Sequence, residues 1–162
     1  MSDPAIRPAT DADWPSIHAF FDRIVAEGET YAYPADLTSD EARALWFGQE
    51  HVVVLEEEGR VLGSAMFGPN RPGRGDHVGT ASFMVDDAAR GRGVGRRLGE
   101  YVVARLAELG YRGIQFNAVV ATNTAAVRLW EGLGFEIVGT VPGAFRSREH
   151  GRVGLHVMYR EL

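Results

Sequence analysis

The run Arg90-Gly91-Arg92-Gly93-Val94-Gly95-Arg96-Arg97 interleaves glycine with arginine. It lies between the apolar stretch His77 to Val85 and a segment in which Leu98, Val102, Leu106 and Leu109 recur at helical spacing. The run therefore reads as a turn from a strand into a helix. Glycine lets a ligand approach the backbone closely, and the first N–H groups of a helix lack internal partners and carry the positive end of its dipole. Arginine adds charge and a donor fork. The chemistry this suits is the holding of a pyrophosphate. The dinucleotide-binding spacing does not fit, because its third glycine would fall on Arg96 or Leu98, and the P-loop needs a lysine that this chain lacks. A tight turn without a ligand is the alternative that the glycines alone allow.

Other polar residues stand where chemistry could use them. The segment Glu29-Thr30-Tyr31-Ala32-Tyr33-Pro34 is rich in functional side chains. Asn117 interrupts the apolar run Ile114 to Val120, and is either a ligand contact or a satisfied strand amide. Asn123, in Thr122-Asn123-Thr124, can cap a helix and also reach a ligand. His156 alternates with Leu155 and Val157, a placement that is more often structural than catalytic. With no Cys there is no thiolate nucleophile or ligand, and the five His show no metal-binding spacing, so no metal is expected.

The elements that must position these residues follow from periodicity and punctuation. Ile6 and Arg7 form a short opening strand. Thr10, Asp11 and Asp13 start a helix whose apolar face is Ile17, Phe20, Phe21, Ile24 and Val25, ended by Gly28. Thr38-Ser39-Asp40-Glu41 opens a second helix. Val52 to Leu55 and Val61 to Phe67 form an antiparallel hairpin around Glu56-Glu57-Glu58-Gly59, followed by a loop from Pro69 to Gly75. After the glycine turn and its helix, stopped at Gly110, come a strand from Ile114 to Val120 and a short helix with Val127, Trp130 and Leu133. The strands Phe135 to Val141 and Val153 to Tyr159 complete the chain. Strands and helices mix throughout, so a single α/β domain over residues 1–162 is expected.

Composition sets limits on function. The chain has 162 residues, 45% of them hydrophobic and 24% charged, as ordinary globular proteins do. A net charge of -5 argues against general nucleic-acid binding, although all 17 basic residues are Arg and cluster locally. No apolar run approaches a membrane span and the N-terminus has no signal pattern, so no membrane association and a cytoplasmic location are expected.

The combination of motifs resembles the GCN5-related N-acetyltransferases (GNAT). Arg90, Gly93 and Gly95 match the family's signature of Arg or Gln, two residues, Gly, one residue, then Gly or Ala. Phe83-Met84-Val85 is similar to the family's fourth strand where it bulges. Asn123, Ala126 and Trp130-Glu131-Gly132-Leu133-Gly134-Phe135 are similar to the segment after the fifth strand. The resemblance covers about residues 83 to 138. It implies a mixed, mostly antiparallel central sheet flanked by helices, with a splay between the fourth and fifth strands. It also implies acetyl-CoA as co-substrate. The amides of Arg92, Gly93, Val94, Gly95, Arg96 and Arg97 would hold the pyrophosphate with Arg90 and Gly91, while Met84, Val85, Asn123, Ala126 and Trp130 would line the rest of the cofactor.

The chemistry so implied is attack of an amine on a thioester. Negative charge then builds on the carbonyl oxygen, and a fixed N–H, assigned by the resemblance to Val85, stabilises it selectively. An amine held beside the thioester needs no covalent enzyme intermediate. A primary ammonium with a pKa of about 10.4 must lose a proton before it attacks, whereas an α-amino group near about 8 needs less help. Glu29 is the candidate base, directly or through water, against the plainer reading of a solvated loop carboxylate. Tyr31, Tyr33 and Asn117 are candidate acceptor contacts, and Asn117 could instead hold the thioester carbonyl. Family members often carry a Tyr acid where Trp130 stands; an indole cannot act as one, so Trp130 is expected to pack on the pantetheine or in the core. Tyr33 and Tyr159 are substitutes that the sequence does not rank.

The leading reading is thus an N-acetyltransferase acting on a small amine or amino acid. An acyl-CoA-binding sensor without catalysis, motivated by Trp130, and a protein or peptide N-acetyltransferase are the alternatives. The apolar last strand also allows a homodimer.

Overall fold

A computed structural model describes residues 2–162. Its centre is a seven-stranded sheet in the order β1-β2-β3-β4-β5-β7-β6. The strands are β1 (Ala5–Pro8), β2 (His51–Glu57), β3 (Arg60–Pro69), β4 (Val78–Val85), β5 (Gly113–Val120), β6 (Glu136–Ser147) and β7 (Gly151–Glu161). Every neighbouring pair is antiparallel except β4 with β5. That parallel pair is in register only at Val78 with Gly113 and Gly79 with Ile114, after which the two strands part. The expected splay is therefore present.

Helices cover both faces. Helix α1 (Trp14–Glu27) buries Ile17, Phe20, Phe21, Ile24 and Val25, the face its period foretells. Gly28 ends it in the left-handed region at φ 71°, where a β-carbon would be strained. Helix α2 (Ser39–Trp46) starts in a reciprocal capping box between Thr38 and Glu41. Together α1 and α2 enclose a core with Val54, Met66 and Met84. On the opposite face, α3 (Val94–Glu108) and α4 (Thr124–Gly132) pack Val94, Leu98, Val102, Leu106 and Trp130 against Leu62, Ile114 and Phe116.

Several local details depart from the expectations. The β2–β3 turn is two residues, Glu58 at φ 50° and Gly59 at φ 77°, because a turn with two positive φ values matches the strand twist. Glu56 and Glu57 belong to the strand. The last two strands are longer than Phe135 to Val141 and Val153 to Tyr159, since polar and glycine residues continue the pairing out to Ser147 with Gly151. Leu109 follows α3 rather than completing its buried stripe, and is 40% exposed. The register of β3 with β4 runs unbroken from Gly63–Val85 to Pro69–Gly79, so the expected bulge is not on β4. An irregularity lies instead on β5, between Phe116 and Val119, and Asn117 sits in it.

Candidate active site

Three segments converge at the open end of the splay. A β-carbon built on Gly95, in the first turn of α3, would lie 3.5 Å from Leu129 Cδ2 of α4 and 3.8 Å from Val85 Cγ2 at the end of β4. The glycine turn, the last residue of β4 and the fourth helix thus meet at one point, although they are distant in sequence.

The turn itself is built for close approach. Gly91 and Gly93 adopt φ 75° and 76°, and a β-carbon at either would meet nothing within 4 Å. Their open side is what a bulky anion would need. Gly93 caps α3 with no side-chain hydrogen bond, so the first-turn N–H groups of Val94, Gly95 and Arg96 have no helical or side-chain acceptor. Val94 turns its own side chain into the core. The arginines are paired with protein groups: Arg90 with Asp87 at 2.8 Å and Glu27 at 3.5 Å, Arg92 with Glu57 at 2.5 Å, and Arg96 with Glu100 at 2.9 Å. Arg97 donates to the Pro4 carbonyl at 2.7 Å. The first-turn main-chain N–H groups are thus left as donors for a ligand.

Strand β4 presents its two main-chain edges differently. Asp86 N–H donates to the Leu62 carbonyl at 2.8 Å, which places Met84 and Ser82 in the hydrogen-bonded pairs with β3. Phe83 and Val85 consequently direct their N–H and C=O groups into the splay. Met84 is the inward residue between them, its side chain 1% exposed in the α1 core. Asp86 fixes the strand end by accepting from Arg23, Arg60 and Ala88 N–H. Burial pushes its carboxyl up, but the two arginines outweigh this and its pKa falls below the ordinary value.

The loop after α1 laces the site together. Glu27 reaches Arg90, Glu29 reaches the β6–β7 turn, and Tyr31 reaches β4. Glu29 Oε2 accepts from Ser147 Oγ at 2.6 Å and Oε1 accepts from Glu149 N–H at 2.8 Å. The Ser147 hydroxyl, aided by the Glu149 amide, holds the carboxyl below its ordinary pKa despite the opposing effect of burial. Glu29 also borders a hollow of about 470 Å³ with Glu27, Arg148 and Glu149. Tyr31 and Tyr33 stack in parallel, with ring centres 5.4 Å apart, and burial raises the pKa of both phenols.

The remaining candidates lie on β5 and α4. Asn117 is exposed beside the splay, accepting from Gln115 Nε2 at 3.0 Å and donating to Asn70 Oδ1 at 2.7 Å. Asn123 caps α4 by accepting from Ala126 N–H at 3.3 Å. Trp130 is 8% exposed and packs against Phe83 and Phe116, with ring centres 4.7 and 4.8 Å away. Its place is in the core behind β4. Tyr159 lies over Gly113 on β7, and His156 Nδ1 bonds Thr140 Oγ1 at 2.7 Å on the β6–β7 ladder. A hollow of about 650 Å³ beside Gly134 and Arg160 lies past the C-terminal end of α4, where Arg160 donates to the Leu133 carbonyl. Among the described residues, no three His, Asp or Glu side chains are grouped as a metal site requires, and no helix is long and apolar enough to cross a membrane.

Ser147 and Asn70 carry no sequence signal for a place in this site, and the resemblance at Phe83-Met84-Val85 marks the strand end but not the contact of Tyr31 with it. Asp86 carried a signal, an Asp immediately before a short turn, which is a common cap.

Comparison with known proteins decides the family. Residues 17–135 match the family model described as the acetyltransferase (GNAT) family. The chain belongs to the GNAT family. A solved GCN5-related N-acetyltransferase from Kribbella flavida is 54% identical and superposes with a TM-score of 0.95, each chain covered to 98%. The L-methionine sulfoximine/L-methionine sulfone acetyltransferase of Pseudomonas aeruginosa is 35% identical over 150 residues, 85% of this chain and 83% of that one. A phosphinothricin acetyltransferase of the superfamily from Sinorhizobium meliloti, solved in complex with acetyl-CoA, is 25% identical with a TM-score of 0.86, covering 99% of this chain and 89% of that one. This GNAT protein is accordingly an acyl-CoA-dependent N-acetyltransferase.

Proposed function

We propose that the chain moves the acetyl group of acetyl-CoA to the amino group of a small molecule, an amino acid or another amine, by direct attack on the thioester. The observation that carries the reading is the meeting of Gly95, Val85 and Leu129. It sets unpaired main-chain donors of α3 beside the free main-chain edge of β4. The relatives that act on methionine sulfoximine and phosphinothricin support a small acceptor.

In this reading the N–H groups of Val94, Gly95 and Arg96, with the open faces of Gly91 and Gly93, hold the pyrophosphate. The helix dipole adds to them. Bound acetyl-CoA supplies the activated acyl group. Val85 N–H points into the splay and stabilises the oxygen on which negative charge collects. Glu29 takes a proton from the incoming amine through water, since both its oxygens already accept bonds and its depressed pKa keeps it ionised. Asn117 and Tyr33 face the acceptor. Trp130 backs Phe83 from the core and takes no proton, so solvent protonates the departing thiolate, a tolerable leaving group if its pKa lies near that of free cysteine, about 8.5. The chain acts as a single domain in the cytoplasm, alone or as a homodimer.

The test is release of free thiol from acetyl-CoA with a panel of amino acids, other small amines and peptides. Acceptor-dependent release with a small amine is expected. Release with peptides alone would replace the small-molecule reading, and release with none of them, while coenzyme A binds, would favour a sensor.

A further inference from the structure

The in-register pairing of β4 with β5 ends at Gly79 and Ile114. Towards the end of β4, Phe83 and Val85 therefore offer main-chain N–H and C=O groups to the splay without a facing strand. The two positions are not equivalent. Phe83 N–H donates to Tyr31 Oη at 2.9 Å, and the Tyr31 hydroxyl donates to the Phe83 carbonyl at 2.5 Å. One phenol thus satisfies both groups, as a neighbouring strand would. No side chain caps Val85 in this way among the described residues.

The phenol is firmly held. Its ring lies at 2° to that of Tyr33, and Tyr33 stacks on Phe21 at 5.6 Å and 14°. Phe21 is buried in α1, so the stack is rooted in the core. From the other side of the sheet, Trp130 packs on the Phe83 ring. Displacing Tyr31 would break two hydrogen bonds and a ring stack, and would leave a part-buried main-chain N–H and C=O without that partner.

Direction along β4 gives this contact its meaning. Gly95 abuts Val85, so an arm entering from the N-terminus of α3 passes Val85 first and meets Phe83 only nearer the closed end of the splay. Tyr31 stands where the acyl end of a thioester would arrive.

We propose that Tyr31 determines donor specificity: by bridging Phe83 it leaves an acyl-thioester arm only Val85 to pair with, and its ring closes the space beyond an acetyl group. Longer acyl chains are thereby refused. This rests on the acyl-CoA reading given above.

Calorimetric titration of coenzyme A, acetyl-CoA and butyryl-CoA into the full chain and into Tyr31→Phe and Tyr31→Leu, each checked by thermal melting, tests it without knowledge of the acceptor. The unaltered chain should bind acetyl-CoA about tenfold or more tightly than butyryl-CoA, the discrimination that added methylenes can give. Tyr31→Leu, which removes the ring, should narrow that ratio to about threefold or less; Tyr31→Phe, which keeps the ring but frees the Phe83 main chain, should narrow it in part, and coenzyme A itself should bind all three proteins alike. Tyr31→Phe removes only the hydroxyl and should remain folded if Tyr31→Leu does not. Equal binding of acetyl- and butyryl-CoA by the unaltered chain, or full discrimination retained by the folded variants, overturns the proposal. So does an equal loss of all three ligands in the variants, which would make Tyr31 a purely structural residue. Failure of the unaltered chain to bind even coenzyme A would instead overturn the acyl-CoA reading, and this proposal with it.

Discussion

Ser147 Oγ donates to Glu29 Oε2 at 2.6 Å, joining two residues 118 positions apart in the chain. The bond closes the β6–β7 turn over the loop that follows α1, and it stabilises the ionised form of the carboxyl.

If Glu29 relays the proton of the amine, its depressed pKa sets the acid limb of the pH profile. Loss of the Ser147 hydroxyl removes the bond that favours the carboxylate, so Ser147→Ala should move the acid limb of kcat/KM to higher pH. Glu29→Gln should lower kcat by roughly 10²- to 10⁴-fold while coenzyme A affinity holds. A Gln variant with unchanged kcat and a lowered Tm would make Glu29 a strut between the two loops.

Asp13 gives the fold its own pH dependence. It accepts from both terminal nitrogens of Arg7 at 2.8 Å, and Arg7 also pairs with Glu56. The Arg7 hydrogen bonds lower its pKa to about 2, well below the ordinary value for an aspartate. A carboxyl depressed on folding contributes stability that is complete above its unfolded pKa and is lost as pH falls through the folded one. Asp13→Asn should therefore cost about 2 kcal/mol at neutral pH, with the difference from the unaltered chain vanishing as pH falls from about 4 to about 2. Denaturant melts across that range read it directly.

Gly93 is placed to separate folding from binding. At φ 76° an alanine is strained, yet its β-carbon would touch no protein atom. Gly93→Ala should cost about 1 kcal/mol of stability and, if the proposed pyrophosphate site is correct, weaken coenzyme A further, because the methyl would occupy the face left open for the phosphates. Calorimetry and thermal melting on one preparation distinguish the two effects.

A buried relay links α2 to the sheet. Trp46 Nε1 donates to Ser64 Oγ at 2.9 Å, and Ser64 Oγ donates to the Val53 carbonyl at 2.8 Å. Both side chains are fully buried. Ser64→Ala leaves the buried Trp46 Nε1–H without its acceptor and should destabilise the chain by about 1–3 kcal/mol, measurable by urea melting.

Local signals account for what the sequence made legible. The αL glycine after α1, the Thr38–Glu41 capping box and the apolar face of α1 are each set by residues within two turns of one another, and each appears where the pattern placed it. The glycine turn could be read for the same reason. What escaped depends on residues brought together only by the sheet. The Tyr31–Phe83 bridge uses the main chain of one partner, so no residue type announces it. Ser147, at the end of β6, and Asn70, just after β3, are ordinary polar residues until the fold sets them against Glu29 and Asn117. The irregularity moved from β4 to β5 because register is fixed by cross-strand packing, which a one-dimensional pattern does not contain. The length of β6 was hidden similarly, since Pro142 and Gly143 interrupt its apolar run and the register shifts between Val141 and Phe145 before pairing resumes.

The most direct measurement is calorimetric titration of acetyl-CoA into the full chain and into Gly93→Ala. One site per chain is expected, occupied in the unaltered protein and markedly weakened in the variant while the variant remains folded. Absence of binding by the unaltered chain, or equal affinity in the two proteins, would contradict the placement of the cofactor at the junction of Gly95, Val85 and α4.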